Sequence, residues 1–367
     1  MTYAVLSDIH AHAWSVFSHT NSAGENSRLR LILDDMKRAA STLISRGGDT
    51  MVIAGDIFHE RGKIDPEVLN PTQAMIREIL DMGIFIYAIP GNHDLKSNDT
   101  RKLSSAIQTL AETTGGTGEF TFRVANEPTF HDIGDGKLIA MAPWRDRNEN
   151  LLADIERLAK QCSSAELAAM DLFIHAGIEG VLPIRHEGIT AKQLGAFGFR
   201  HVFAGHYHNH KILDHGVVSI GATAHHTWGD IGTKAGFLLV EDDGTVNFMR
   251  SHAPAFIDVG GMTEQEMELS CPGNYVRFRG PPMSQSDITE LRDQFTKWGA
   301  AGVSLEVPRV ATTVRSAVVS TTGKSLDASV VDYVDADKAI PAHVDRAAVR
   351  RRAQEVLDET RLVYDAA

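Results

Sequence analysis

Met51-Val52-Ile53-Ala54-Gly55-Asp56-Ile57-Phe58-His59 is an unbroken apolar run of strand length that leads straight into a carboxylate and an imidazole. The same placement recurs along the first 208 residues. Tyr3 to Leu6 precedes Asp8-Ile9-His10, Ile84 to Ile89 precedes Gly91-Asn92-His93-Asp94, Leu172 to Ile174 precedes His175, and His201 to Ala204 precedes Gly205-His206-Tyr207-His208. In open α/β folds the carboxyl ends of adjacent strands meet at one crevice, so polar residues far apart in sequence converge there.

The residue types point to a metal centre. Mn²⁺, Fe²⁺ and Zn²⁺ take imidazole nitrogen together with carboxylate oxygen, and an Asn carbonyl suits the harder members of that series. No thiolate is needed. Cys162 and Cys271 lie outside every motif and read as reduced thiols. Two ions about 3.5 to 4 Å apart can clamp a phosphoryl group and activate a water. One carboxylate must bridge them, and Asp56 is the natural candidate.

With D-x-H, G-D, G-N-H-D, a lone His and G-H-x-H in this order across residues 8 to 208, the chain resembles the calcineurin-like binuclear metallophosphoesterases. Each element alone is weak, but five in order are strong. By position, the resemblance implies Asp8, His10, Asp56 and His208 as ligands of a first ion, and Asp56, Asn92, His175 and His206 as ligands of a second. It implies that His93, a non-ligand, contacts the phosphate and protonates the leaving oxygen, with Asp94 orienting its ring. Taken alone, Gly91 to Asp94 reads equally as a polar turn.

Organisation along the chain agrees with an α/β protein. Its 367 residues are 43% apolar and 23% charged, the balance of a globular chain long enough for a large domain and a smaller one. Apolar spacing predicts helices over Asn26 to Arg46, Pro66 to Met82, Arg101 to Glu112 and Glu149 to Gln161. Closely spaced strands at Val217 to Ile220, Gly236 to Glu241 and Val246 to Arg250 suggest antiparallel pairing in a second sheet. The expected core is a two-sheet β-sandwich flanked by helices over residues 1–253. A small α/β unit follows over 254–325, with strands at Asn274 to Arg279, Val303 to Val307 and Thr312 to Val319 and a helix at Ser286 to Trp298. Residues 326–367 form a C-terminal segment with a charged helix from His343 to Val363. No basic leader or run of about 18 apolar residues occurs, so a cytoplasmic protein with no membrane partner is expected.

Within the superfamily, the chain looks like the SbcD family of DNA repair and recombination nucleases, which includes phage-encoded relatives. His59 in Gly-Asp-Ile-Phe-His is one carrier of that likeness, since nucleases of the family use a histidine there to hold substrate phosphate. The segment Gly221 to Val240 and the small unit after the core, in the position of a DNA-capping domain, are the others. This resemblance implies a Mn²⁺-dependent exonuclease or single-strand endonuclease with DNA as substrate, an SbcC-like ATPase subunit as partner and a homodimer as assembly.

Other readings stand beside it. His59 reads equally as an ordinary loop histidine. A net charge of −12 supplies no global attraction for a polyanion, and Arg145, Arg147, Arg200 and Lys211 remain as local basic residues. Residues 271 to 330 carry seven basic against five acidic side chains, a difference that a solvated surface explains as well as DNA does. Trp14 and Trp144 suit either base stacking or the core, while His12, His19, His210, His225 and His226 are left outside the site. The alternatives to a nuclease are a phosphoesterase for a small substrate, such as a cyclic nucleotide or a phosphomonoester, and a silent scaffold.

Overall fold

The computed structural model describes residues 1–96, 105–113, 115–183, 188–308, 325–337, 340–341 and 344–364. Its first part runs β1 (Tyr3–Leu6), α1 (Ser27–Ser45), β2 (Thr50–Ala54), α2 (Pro66–Asp81), β3 (Phe85–Ile89), β4 (Phe122–Val124), β5 (Thr129–Asp132), β6 (Leu138–Ala142) and α3 (Asn148–Ala159). It continues with α4 (Ser164–Ala169), β7 (Asp171–His175), α5 (Ala191–Gly195), β8 (His201–Gly205), β9 (Lys211–Ile212), β10 (Val217–Ser219), β11 (Gly236–Val240) and β12 (Val246–Arg250). Then come β13 (Phe256–Asp258), α6 (Glu264–Ser270), β14 (Tyr275–Arg279), α7 (Gln285–Lys297), β15 (Gly302–Glu306), α8 (Leu326–Ala336) and α9 (Arg346–Tyr364).

Two six-stranded sheets, ordered β12-β11-β1-β2-β3-β4 and β5-β6-β7-β8-β10-β9, form the core. Side chains alternate across a strand, so each sheet has an inner and an outer face. Tyr3, Val5, Val52 and Leu238 meet Ile139, Met141, Phe173 and Phe203 between the sheets. On the outer face of the first sheet, Ala4, Leu6, Met51 and Ile53 pack against Leu29, Leu33 and Met36 of α1 and Met75 and Ile79 of α2. Ala140, Leu172, Ile174 and Val202 do the same against Leu151, Ile155 and Leu158 of α3. The α1 helix starts where Asn26 accepts the backbone N–H groups of Arg28 and Leu29, which satisfies donors that the first turn leaves unpaired.

Two expectations are corrected here. The strands expected together in a second sheet divide: β10 pairs parallel with β8, while β11 and β12 run antiparallel beside β1 in the first sheet. Gly236–Val240 is buried on both faces, with Phe237 and Leu239 under the helices and Leu238 and Val240 between the sheets. Such a strand is satisfied only inside a sheet. The helix expected over Arg101 to Glu112 is a 3-10 turn over Ala106–Glu112, and residues 101–104 lie outside the described residues.

A third sheet, β13-β14-β15, is wholly parallel, with α7 connecting β14 and β15 over Val276, Phe295 and the buried thiol Cys271. The strand expected at Thr312 to Val319 falls outside the described residues. Contacts divide the chain into units Met1–Arg309 and Val310–Ala367. In the second unit α9 packs on α8, a helix the pattern did not suggest, and Arg346 donates to the carbonyls of Val334 and Asp337 at 2.6 and 2.8 Å. Among the described residues no helix is long and apolar enough to cross a membrane.

One buried carboxylate ties the sheets together. Asp171, at the start of β7, accepts bonds from the Tyr3 hydroxyl of β1, from Arg200 Nε at 2.9 Å and from His201 Nδ1 at 2.9 Å. Burial pushes its pKa up, but the bonds from His201, Arg200 and Tyr3 outweigh it and hold the group at about 2. Removing one partner of a buried pair typically costs about 3 to 5 kcal/mol, so Asp171→Ala is expected to fall in that range at pH 7. A carboxyl depressed on folding stabilises above its unfolded value of about 4, and that contribution is lost as pH falls toward 2. Urea denaturation at pH 7 and pH 3 should therefore show the gap between wild type and variant narrowing in acid.

Candidate metal centre

The motif loops leave the carboxyl ends of β1, β2, β3, β7 and β8 and are cross-linked by their own backbones. Asp8 N–H donates to Gly55 O at 3.1 Å, His10 N–H to Asp56 O at 3.0 Å and Ala11 N–H to Ile57 O at 2.8 Å. Asp8, His10, Asp56 and His206 all adopt positive φ, at 49°, 46°, 53° and 105°. For residues other than glycine that conformation costs on the order of 1 to 3 kcal/mol each and persists where surrounding structure enforces it, commonly at functional sites. Two motif glycines allow the close approach. A Cβ on Gly91 would overlap Asp56, and one on Gly205 would overlap Ser7 and Ala54 and lie 2.9 Å from His175 Nδ1.

The side chains converge in overlapping groups. Asp8, His10 and His208 bring their donor atoms within 4.8 Å of one another, as do Asp56, His175 and His206, and His10, His59 and His93. Asp56 stands between the first two groups, its Oδ2 3.7 Å from His10 Nε2 and 3.3 Å from His175 Nε2. Asn92 Oδ1 lies 3.1 Å from His175 Nε2 and 2.9 Å from His206 Nδ1, which places it with the second group.

This donor set fits divalent ions. Asp8 is fully buried, and its Oδ1 has no hydrogen-bond partner among the described residues; a buried acceptor left unpaired costs about 1 to 3 kcal/mol. A cation would satisfy it. Burial pushes the Asp56 carboxyl up, but His175 and His10 outweigh that and hold it well below the ordinary carboxylate range. Burial holds His10 well below its ordinary value and takes His206 down to about 3, so both present the neutral imidazole that ligation requires. Against its burial, Asp56 and Asp8 draw His175 up to about 9.

The structure gives His93 a different orienting group from the one expected. His93 Nδ1 sits 2.5 Å from the main-chain oxygen of His59, and its backbone N–H donates to Asp56 Oδ1 at 2.8 Å. Asp94 is turned away and fully buried, accepting the backbone N–H groups of Phe58 at 3.1 Å and Gly91 at 2.9 Å. It staples two motif loops together, and burial followed by the charge of Asp56 raises it to about 7. His59 stacks on His93 with centroids 5.3 Å apart and faces His10, Nδ1 to Nδ1, at 3.3 Å.

Several residues were not legible beforehand. His226, left outside the site by the sequence reading, is buried with Nε2 2.9 Å from Asp8 O and its ring edge-on to His10 and His208. Asp230 holds His208 Nδ1 at 2.7 Å through Oδ1 and accepts the N–H groups of His226 and Thr227 through Oδ2. The Thr227-Trp228-Gly229-Asp230 capping pattern marked the turn but not its use. Trp14 lies against His59 and His226, and Trp144 against His206, at centroid distances from 4.5 to 5.6 Å. Three of the local basic residues are engaged: Arg145 with Glu127 and Asp154, Arg200 with Asp171 and Lys211 with Gly180 O.

Asp230 fixes which nitrogen of His208 faces the centre. Carboxylates of this kind change metal affinity about 10- to 100-fold on mutation. Asp230→Asn is expected to weaken Mn²⁺ binding by that factor in a calorimetric titration, with unchanged far-ultraviolet circular dichroism; equal affinity would remove Asp230 from the centre.

A family profile described as calcineurin-like phosphoesterase matches residues 1–210. Exonuclease subunit 1 of Enterobacteria phage T4 is 25% identical over 211 residues, 58% of this chain and 58% of that protein. The match therefore spans little more than half the length of that relative. Among solved structures, a dimetal phosphatase from Danio rerio aligns over 65% of this chain and 91% of its own, with 11% identity and a TM-score of 0.38.

Proposed function

Because the chain belongs to the calcineurin-like phosphoesterase family, we propose that it is a metal-dependent DNA nuclease, an exonuclease or single-strand endonuclease acting in repair, recombination or replication. The similarity to a phage exonuclease subunit over 211 residues carries the step from phosphoesterase to nuclease. The convergence of His59 with His10 and His93 supports it. Asp8, His10, Asp56 and His208 would hold one divalent ion and Asp56, Asn92, His175 and His206 another, with Mn²⁺ the favoured metal. When bound, such a pair neutralises the phosphoryl oxygens and makes water a better nucleophile.

The chain's own residues would do the rest. The His59 carbonyl holds His93 Nδ1–H, so Nε2 is the nitrogen left to carry a proton to the departing 3′ oxygen. His59 would hold a non-bridging phosphate oxygen, and Trp14, packed on its ring, would keep it there. Residues 254–325 would form a DNA-capping domain and 326–367 a C-terminal helical segment. In the third sheet Arg277 is held by Asp258 and Arg279 by Glu306, which leaves DNA contacts to other residues. The relative's designation as a subunit suggests a partner chain, for which an SbcC-like ATPase is the candidate, beside a homodimer.

The test is degradation of end-labelled single- and double-stranded linear DNA with Mn²⁺. Mn²⁺-dependent shortening of either strand type supports the reading. Turnover confined to a cyclic nucleotide or a phosphomonoester would replace it with a small-substrate phosphoesterase.

A further inference from the structure

A cavity of about 570 Å³ opens where β11 and β12 meet the chain entering the third sheet. Lys234, Arg250 and His252 line it, with Phe248 and Pro272 as an apolar wall, and no carboxylate takes part. None of these three basic side chains has a hydrogen-bond or ion-pair partner among the described residues; their main chains alone are bonded, as in Lys234 N–H to Asn209, Arg250 O from Arg38 and His252 N–H to Asp35. Asp35, beneath this segment, is already saturated by Arg38 Nε at 2.8 Å, the N–H groups of His252 and Ala253, and the Ser251 hydroxyl. In a chain of net charge −12, three unpaired basic groups around one hollow are a local reversal of sign. Such a hollow attracts an anion.

Size and wall narrow the ligand. Small-molecule sites run from about 300 to 1,000 Å³ and combine apolar walls with a few polar anchors. Inorganic phosphate would leave most of this volume and the Phe248 wall without contact. Phe248 is fixed in place by stacking on His210, with centroids 4.4 Å apart and planes 7° from parallel. The cavity also borders the metal-site loop. His226 Nε2 reaches Asp8 O, while its neighbour His225 lines the cavity and accepts Phe256 N–H at 3.2 Å.

We propose that this cavity is a second anion site, separate from the metal centre, which takes the phosphate of a nucleotide on Lys234, Arg250 and His252 and its sugar and base against Phe248. The nucleotide may be free or part of a DNA strand, and the two sources are separable by experiment. The site stands or falls apart from the nuclease reading, because its test needs no hydrolysis.

Full-length protein in EDTA is titrated with a fluorescent deoxynucleoside monophosphate and with a labelled short oligothymidylate, each read by anisotropy. K234A/R250A is expected to bind the mononucleotide at least about tenfold more weakly, since each charge-assisted contact is worth roughly 1.5 kcal/mol or more. K192A, an exposed control on α5, is expected to match wild type. If the ligand is a DNA strand, the double variant also flattens the salt dependence of oligonucleotide binding by about 1.4, or about 0.7 for each lost phosphate contact. An unchanged slope with a lost mononucleotide assigns the site to free nucleotide. Wild-type protein that binds neither probe, or a double variant that binds both as wild type does, overturns the proposal. The single K234A and R250A variants repeat the measurement should the double variant lose its helical circular dichroism.

Discussion

His93→Asn is expected to lower Mn²⁺-dependent phosphodiester hydrolysis about 10²- to 10⁴-fold, the range spanned by a positioned general acid, with metal content unchanged. His93 contributes no donor atom to the Asp8–His10–His208 group or to the Asp56–His175–His206 group. Its backbone N–H to Asp56 survives the substitution. Asparagine can also keep a donor near the His59 carbonyl, so the loop should hold. What it cannot do is deliver a proton to a leaving oxygen. Turnover and bound metal measured on the same preparation decide the matter: near-normal turnover removes His93 from the mechanism, and lost metal reassigns it as a ligand.

Asp56→Asn should be more damaging, because it strikes both halves of the centre. Oδ2 of Asp56 lies between His10 and His175, and Oδ1 anchors His93 N–H. The amide has no charge to share between two cations, and bridging is the role that no neighbouring group can assume. Charge stabilisation by such ions is worth several kcal/mol, and each 1.36 kcal/mol is a factor of ten. Activity is therefore expected to fall by on the order of 10³-fold or more, with bound metal reduced to one ion or none. A variant that retained two ions per chain would show that Asp56 does not bridge.

The five polar motifs and the strands before them were legible because both signals are local. An apolar run of four to six residues followed by Gly, Asp, Asn or His marks a strand end and what it presents, and β1, β2, β3, β7 and β8 all carry it. Sheet membership was not local. β11 is apolar on both faces, and only the packing of α1 on one side and of the second sheet on the other decides that it sits beside β1. The residues that support the ligands were hidden for a related reason. Asp230 reaches His208 across 22 positions and His226 reaches Asp8 across 218, and neither separation has a periodicity that a sequence displays. Asp94 was read correctly as buried beside the centre's chemistry by type but attached to the wrong partner, since a carboxylate next to a histidine in sequence need not face its ring. Here two backbone N–H groups claim it.

The positive φ values at Asp8, His10, Asp56 and His206 give a physical account of why so much of the fold serves one small volume. Conformations of that kind are held in place by cross-links between the loops, such as Asp8 to Gly55 and His206 N–H to Asp8 Oδ2 at 2.9 Å. The donors are thus set before any ion arrives, which is what a site with exacting geometry requires.

Mn²⁺ stoichiometry tests the central claim most directly. Metal-stripped protein is titrated calorimetrically with Mn²⁺, and the bound metal is then counted by elemental analysis after desalting. Two ions per chain in the wild type, falling to one or none in Asp56→Asn, is the result expected of a binuclear centre built on these seven ligands. One ion per chain in the wild type, or two that Asp56→Asn retains, would contradict it.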